Sequence, residues 1–418
     1  GTAGTAGTMT RVSEVIDAWF DSGSMPFAQW HYPFENRDRV RSEYPAEFIA
    51  EGVDQTRGWF YSLLAIATGL GNTLPNNTGA APYRAVVVND LVRDAKGQKM
   101  SKSRGNAVDP WAVLEKHGAD AVRLFLIASS QVWTPKNFDE NVIRDGAGRF
   151  LITLRNLYHG AFAQYANFGW APSDQDPKLA DRPLLDRWVL SRLAHVEETC
   201  DELLEAFDAT GAARVVMTFV DEDVSKWYVR LARRRLYDVD GADNRAAFAT
   251  LHEVLVTVSR LLAPFAPFVT DWMHRELTGG ESVHLAPYTR GPRTANTPPA
   301  GFDGDLETAM AEIRHLARLG RAAREEAKIN VRQPLGRMVC VTMPWHDNAD
   351  AARHFEALLP LLQTEMNVKR IGLATNADAL VSLEAKPNFR SLGKVFGKET
   401  PKAAAAVGAL GSETLQAF

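Results

Sequence analysis

Residues 46–92 hold the pattern that most restricts the fold. Ala46 to Ala50 is a short apolar run of strand length. Gln55 to Leu70 reads as a helix with aromatic and aliphatic side chains on most faces, so it is expected to be buried. Asn72 to Pro82, rich in Gly, Pro and Asn, reads as a loop. Ala85 to Val92 is β-branched with little alternation, which predicts a strand covered on both faces. A strand, helix and strand of this length make a right-handed parallel crossover, half of a doubly wound sheet. Ligands in such sheets bind beyond the carboxyl ends of the strands. Glu51-Gly52 ends the first strand and a lysine-rich loop follows the second, so both are expected to face one cleft.

That loop is Lys99-Met100-Ser101-Lys102-Ser103, followed by Arg104-Gly105-Asn106. Two ammonium groups three residues apart flank small hydroxyl residues. Asp94-Ala-Lys-Gly97 before it and Gly105 after it permit a mobile loop that closes its cations onto phosphates. A solvated lysine loop is the commoner fate of any K-x-x-K. The full pentapeptide, however, arises by chance in roughly one in ten thousand chains of this length. A helix, Trp111 to Ser129, is expected to open at Asp109-Pro110.

Elsewhere the chain changes character. Gly1 to Thr8 repeats Gly-Thr-Ala and is expected to be a flexible tail. Glu14 to Phe20 reads as a strand, and Met25 to Phe34 as an ordered loop. From Arg144 the pattern is helical. Leu185, Val189, Leu193, Val196, Cys200, Leu203 and Phe207 recur on one face, and Asp208 and Thr210 sit where a cap is expected. A third long helix, Ala246 to Leu277, should break at Pro264 and Pro267. Gly291 to Ala300 reads as a linker, Asp305 to Ile329 as a helix, and the segments Arg337–Met343, Ala351–Met366 and Val368–Leu373 as a small α/β unit. Glu413 to Phe418 reads as the approach to a further element.

The expected fold class is therefore α/β plus all-α. A flexible tail (1–8) precedes a half-domain of doubly wound, Rossmann-like parallel sheet (9–143). A helix bundle (144–290), a linker (291–304) and a C-terminal helix with a small α/β unit (305–418) follow. No apolar run reaches membrane-spanning length. Cys200 and Cys340 are too few for a disulfide framework or a cysteine zinc site, so no structural metal is expected and a cytoplasmic protein is the simplest reading. The net charge of −4 argues against indiscriminate nucleic-acid binding, so RNA contact must come from local patches. Lys226 to Arg235 (KWYVRLARRR) is one such patch, with Lys226, Arg230, Arg233, Arg234 and Arg235 as candidate contacts and Trp227 and Tyr228 as core. Arg314, Arg318, Arg321, Arg324, Lys328 and Arg332 would form a second stripe, diluted by Glu325 and Glu326.

The lysine loop resembles the phosphate loop of class I aminoacyl-tRNA synthetases, and further segments extend the likeness. Trp19-Phe-Asp-Ser-Gly-Ser24, Met25-Pro-Phe-Ala-Gln29 and Glu51-Gly-Val-Asp-Gln-Thr-Arg-Gly-Trp-Phe60 look like isoleucyl-tRNA synthetases, and the last discriminates against the valine and leucine enzymes. Leu185-Asp-Arg-Trp188, Ser225-Lys-Trp-Tyr-Val-Arg230, Leu261-Leu-Ala-Pro-Phe-Ala-Pro-Phe268, Ser282-Val-His-Leu285 and Lys328-Ile-Asn-Val-Arg-Gln-Pro-Leu335 are similar to the family's anticodon-binding bundle and the junction beyond it. The likeness is closest to the archaeal and eukaryote-like branch.

The resemblance implies ATP-dependent activation of L-isoleucine and its transfer to tRNA(Ile), with Mg2+ accompanying ATP. Lys99 and Lys102 would be catalytic, and Lys99, Met100, Ser101, Lys102 and Ser103 would bind ATP. Glu51, Gly52, Asp54, Gln55 and Trp59 would bind the isoleucyl-adenylate. Asn89 and Asp90 would lie near the adenosine, and Asp54 is as readily a helix cap. No His-x-Gly-His occurs, and the editing insertion is missing. The chain therefore reads as a carboxyl-side portion, monomeric and inactive alone, whose partner is the missing N-terminal half. Two other readings stand beside it: a non-catalytic tRNA-binding module derived from a synthetase, and a valyl- or leucyl-tRNA synthetase.

Overall fold

The computed structural model describes residues 10–14, 17–74, 81–166, 169–238, 241, 243–288, 301–342, 348–376, 384–411 and 414–415. The tail at 1–8, most of the linker and most of the terminal element lie outside the described residues. The chain forms two compact units, residues 1–181 with 192–300, and residues 182–191 with 301–418.

In the first unit β1 (Ala46–Gly52) runs parallel to β2 (Tyr83–Asn89), pairing Glu51 with Val88 and Gly52 with Asn89. The crossover between them is not one helix from Gln55. A tight turn at Val53–Arg57 comes first, and the helix proper is Trp59–Leu70. Gly58 makes the break: a Cβ there would lie 2.6 Å from Gln55 Oε1 and 3.0 Å from the Trp19 ring. The helix is amphipathic rather than buried all round. Phe60, Leu63 and Ala67 are inside, while Tyr61 is 66% exposed. Nor do the described residues cover both faces of the sheet, because Val86 of β2 is 39% exposed, Phe48 of β1 is 52% exposed and only Ile49 of β1 is buried.

Of the strand expected over Glu14–Phe20, residues 15–16 lie outside the described residues, and Ala18–Phe20 instead open a helix, Ala18–Gly23. Asp17 overrides the β-branched pattern by accepting the Trp19 N–H at 2.9 Å. Gly23 lets this helix lie close on Trp59–Leu70, since a Cβ would sit 2.9 Å from Ile66 and Ser62. Met25–Ala28, expected in a loop, is a single helical turn. The helix expected over Trp111–Ser129 divides at Gly118 (φ +82°) into Pro110–His117 and Ala119–Ala128. Asp109 caps it as expected, accepting the Trp111 N–H at 3.1 Å.

The bundle follows as helical residues 140–166 and 209–237, with Leu184–Glu205, Asn244–Leu262 and Pro267–Thr278. The prolines interrupt it where the sequence requires. The apolar stripe from Leu185 to Cys200 is buried, but Phe207 turns out of the helix at φ +58° to meet the Phe48 ring, 5.3 Å away. Asp208 caps the next helix, accepting the Gly211 N–H at 2.8 Å. Three stretches, Ile143–Gly148, Leu157–Ala163 and Phe219–Val229, are wound as wider π-helix.

One helix ties the half-domain to the bundle. Near the start of Ala119–Ala128, the buried Asp120 carboxylate accepts the Phe268 and Val269 N–H groups at 3.3 and 2.7 Å, capping Pro267–Thr278. At its other end Arg214 donates to the Ala128 and Ser129 carbonyls, each at 2.7 Å, and Thr210 donates to Ile127 O at 2.8 Å. Orphan amides of one helix and orphan carbonyls of the other are thus satisfied across the junction.

In the second unit, helix Gly304–Glu326 packs on Ala349–Glu365 beside two parallel strands, β5 (Met338–Val341) and β6 (Ile371–Ala374). The expected arginine stripe is a solvent face only in part: Arg318, Arg321, Lys328 and Arg332 are exposed, Arg314 is half-buried and Arg324 is buried. Arg324 is 5% exposed and donates to the carbonyls of Asn330, Gln333, Met366 and Asn367. Arg321 pairs with Glu365, and the Arg314 guanidinium lies 5.5 Å from the Trp188 ring centroid. Buried carbonyl acceptors outcompete solvent for the Arg324 guanidinium.

Asp120→Ala is expected to destabilise the first unit by about 1–3 kcal/mol, because two partly buried amides lose a charged acceptor. Chemical denaturation followed by bundle tryptophan fluorescence checks this, and an unchanged midpoint would show that water replaces the carboxylate.

Candidate active site and nucleic-acid surface

The parallel register sets Glu51 and Gly52 beside Val88 and Asn89, at the carboxyl ends of neighbouring strands. Glu51 is exposed, and its only described partner is the Gly52 N–H at 3.3 Å. No ion pair holds it among the described residues. Gly52 permits Asp54 to fold back: a Cβ there would lie 2.7 Å from Asp54 Oδ1. Asp54 does not cap the helix. Gln55 does so, its Oε1 accepting the Trp59 N–H at 3.0 Å. Trp59 is half-buried against Ile49, Phe60 and Leu63, and its indole N–H donates to Ser22 O at 3.1 Å. Trp59 therefore joins the Ala18–Gly23 segment to the strand end. Asn89 is exposed, while Asp90 turns on itself, accepting the Leu91 N–H at 2.6 Å.

Beyond Asp90 the chain enters β3 (Val92–Arg93), parallel to β4 (Lys136–Asn137). Arg93 then pairs antiparallel with Lys99, closing a hairpin through Asp94–Gly97, with Gly97 at φ +78°. Asp94 Oδ1 accepts the Lys96 and Gln98 N–H groups at 3.0 and 2.8 Å. The Asn106 amide and the Gln98 N–H hold the Asp94 carboxyl below its ordinary range. After extended Ser101, residues Lys102–Arg104 form one tight turn that Ser101 Oγ caps at 3.3 Å, and Gly105 at φ +65° ends it. Ser101 and Ser103 hydroxyls are 3.2 Å apart.

The structure thus ties the backbone of Lys99, Met100, Ser101, Lys102 and Ser103 through hydrogen bonds within the loop, which follows β3 in the chain. The amino groups of Lys99 and Lys102 are exposed. Sequence reasoning passed over Asp94 and Asn106 as ordering residues. Asn directly after a positive-φ Gly was the signal available.

The basic segment of the bundle divides by environment. Trp227 and Tyr228 are core, as expected. Lys226 is committed to Asp221 and Glu222 at 2.8 and 2.6 Å, which raise its pKa. Arg235 donates to Asp243 O at 3.3 Å. Arg230, Arg233 and Arg234 are exposed. Arg230 and Arg233 line a cleft of about 440 Å³ with Asn156, Gly160, Ser225 and Tyr237. Two of the π-helical stretches form its walls, and the Arg233 guanidinium bonds the Tyr237 hydroxyl.

Among the described residues no three His, Cys, Asp or Glu side chains converge as a metal site requires. Cys200 and Cys340 are both buried, and Cys200 Sγ lies 3.3 Å from the Tyr288 hydroxyl. No described helix is long and apolar enough to cross a membrane.

Residues 3–139 match the family model "tRNA synthetases class I (I, L, M and V)", and residues 186–339 match "Anticodon-binding domain of tRNA ligase". The chain is 40% identical over 415 residues to the isoleucine–tRNA ligase of Porphyromonas gingivalis, covering 98% of this chain and 35% of that protein. It is 43% identical over 395 residues to the isoleucine–tRNA ligase of Bacillus thuringiensis, covering 94% of this chain and 36% of the relative. The chain therefore spans little more than a third of the length of these relatives. Its fold is also that of Agrobacterium radiobacter K84 LeuRS, solved as a ternary complex with tRNA and LeuAMS. The TM-score there is 0.52 at 18% identity, over 85% of this chain and 41% of that one.

The Asp94 carboxyl, held down by its donors, keeps the hairpin tie at neutral pH and loses it only as pH falls through that depressed value. In an NMR pH titration the Lys96 and Gln98 amide resonances are expected to move with a midpoint below the ~3.9 of a free Asp. A midpoint at or above that value would show that the tie is not formed in solution.

Proposed function

We propose that this chain, a homologue of the isoleucine–tRNA ligases that carries their class I synthetase and anticodon-binding domains, serves ATP-dependent activation of L-isoleucine and its transfer to tRNA(Ile). In that reading it is the carboxyl-side part of a Rossmann-like catalytic domain with its bundle, nearer the archaeal and eukaryote-like branch. It works in the cytoplasm, as one copy, with an N-terminal catalytic half. That half would cover the exposed Phe48 on the sheet. What supports the reading is an exposed Glu51, held by no ion pair among the described residues, at the carboxyl end of β1, together with a lysine loop tied through its backbone that follows the carboxyl end of β2 along the chain.

The chemistry follows from charge. The isoleucine carboxylate attacks the α-phosphorus of ATP and pyrophosphate leaves. Negative charge builds on the phosphoryl oxygens in the transition state, where preorganised cations stabilise it more than they stabilise the ground state. Lys99 and Lys102 supply those cations, and the Ser101 and Ser103 hydroxyls donate to phosphate oxygens. Mg2+ enters with ATP as part of the substrate. Glu51 faces the ammonium or ribose groups of the adenylate, with Gly52 and Asp54 beside it. Gln55 and Trp59 hold the shape of that corner, and the Trp59 ring packs against the isoleucine side chain.

The test is isoleucine-dependent ATP–pyrophosphate exchange by the chain mixed with a separately produced N-terminal half. Exchange that requires isoleucine supports the reading; dependence on valine or leucine, or no exchange, overturns it. Lys102→Ala is expected to slow exchange by about a hundred- to a thousandfold while isoleucine affinity stays unchanged.

Arg230, Arg233 and Arg234 lead the proposed tRNA interface, with Lys226 and Arg235 at the margins of the patch. The chain alone is expected to bind tRNA(Ile) weakly. Changing the three exposed arginines to Ala should weaken all tRNAs together and flatten the log–log salt slope by about 0.7–0.9 for each phosphate left without its cation. Filter binding across a salt series, with an unrelated tRNA as control, measures it; an unchanged slope would remove these arginines from the interface.

A further inference from the structure

We infer that Asn106 is the positioning residue of the lysine loop, working with Asp94 to fix where Lys99 and Lys102 stand. The inference rests on the synthetase reading above for its catalytic meaning, but the tie itself is independent of it. One carboxamide makes three bonds. Its Oδ1 accepts the Ser101 N–H at 2.9 Å, and its Nδ2 donates to Asp94 Oδ2 at 2.9 Å and to Lys99 O at 3.3 Å. These partners lie on both limbs of the loop. Lys99 and Asp94 belong to the outgoing hairpin, whereas Ser101 begins the turn that carries Lys102.

The two lysine backbones are therefore spaced by one side chain. Asp94 divides its work in the same way: Oδ1 takes two amides of the hairpin, and Oδ2 takes Asn106. Asn106 touches no reacting atom in this arrangement. It acts by holding the cations where charge develops, so that ordering them costs little at the moment of reaction. Any opening of the loop by hinging at Gly105 must first break the carboxamide bonds.

Four variants test this: Asn106→Ala, Asn106→Asp, Asp94→Asn, and the exchange Asp94→Asn with Asn106→Asp. Asn106→Asp keeps an acceptor for Ser101 but sets two carboxylates against each other. The exchange restores one amide–carboxylate bond in the reverse sense. The first readout uses the chain itself, as trypsin cleavage after Lys99, Lys102 and Arg104 followed by mass spectrometry. Loop cleavage should rise at least about fivefold in Asn106→Ala and Asn106→Asp, the effect of losing one net hydrogen bond where each variant loses more than one, and fall back in the exchange. Cleavage elsewhere should stay constant, which separates a loosened loop from a misfolded chain. Equal loop cleavage in wild type and Asn106→Ala overturns the tie.

The second readout is exchange kinetics with the N-terminal half. Asn106→Ala should lower kcat about tenfold with KM for isoleucine unchanged, and the double exchange should recover part of kcat. A looser loop with undiminished kcat overturns the positioning role. Wild-type protein without exchange, or Lys102→Ala with undiminished exchange, is instead the failure of the synthetase reading, and the cleavage data then decide the tie alone.

Discussion

The parallel pairing of β1 with β2 is the constraint on which the rest of the site depends. Its register puts Gly52 opposite Asn89, so both strands finish at the same level. From one end the chain turns tightly through Val53–Arg57 into helix Trp59–Leu70; from the other it leaves through Asp90 toward β3 and the lysine loop. A one-residue slip would move Glu51 to the other face of the sheet. The buried anchors against such a slip are few, chiefly Ile49 with Phe60 and Leu63 behind it. Backbone geometry at Gly52 and Gly58 supplies the remainder, because each lets a neighbouring side chain come closer than a Cβ would allow.

The lysine loop also has a fixed base. Its first limb grows from the β3–β4 pair, and its second runs into the helix that Asp109 caps. The next helix, Ala119–Ala128, is held at both ends by the bundle, through Asp120 and through Arg214 with Thr210. Short covalent connections thus join a cation-bearing loop to a helix locked onto the bundle that bears the exposed arginines. Within this unit the loop can rearrange without disturbing its supports, since the bonds of the loop and those of the bundle junction share no residue.

What the sequence makes legible is what local chemistry decides. The parallel crossover, the Asp109 and Asp208 caps, the proline break near Pro267 and the buried stripe of Leu184–Glu205 all follow from spacing and side-chain type. The failures share a cause. Glu14–Phe20 reads as a strand by composition, yet the Asp17 cap and the close approach allowed by Gly23 make residues 18–23 a helix. Helix Trp59–Leu70 reads as buried because it is apolar, but burial depends on what stands opposite, and Tyr61 stays exposed. Arg324 falls on a charged stripe by periodicity, whereas four carbonyls, two just past its own helix and two some forty residues on, draw it inside. In each case the pattern of residue types does not carry the information that decides the outcome: a cap, a close approach, or what stands opposite.

Segment 93–108 carries five cations, Arg93, Lys96, Lys99, Lys102 and Arg104, and a single acid, Asp94. Ion pairs are the obvious way to order so crowded a charge, and the bundle uses them: Asp221 and Glu222 hold Lys226 in place. The same device in the loop would be self-defeating, because a lysine paired with a carboxylate has little field left for a phosphate. A loop whose task is to present free cations must be ordered through its backbone by groups that carry no compensating charge. A carboxamide meets that requirement, offering an acceptor and two donors with no net charge. The one acid present is spent on amide donors rather than on an ammonium group, so its negative charge strengthens hydrogen bonds without capturing the lysines. The choice of Asn over Asp at position 106 is therefore an electrostatic one: it orders the loop and leaves Lys99 and Lys102 in solvent, available to whatever anion enters the cleft.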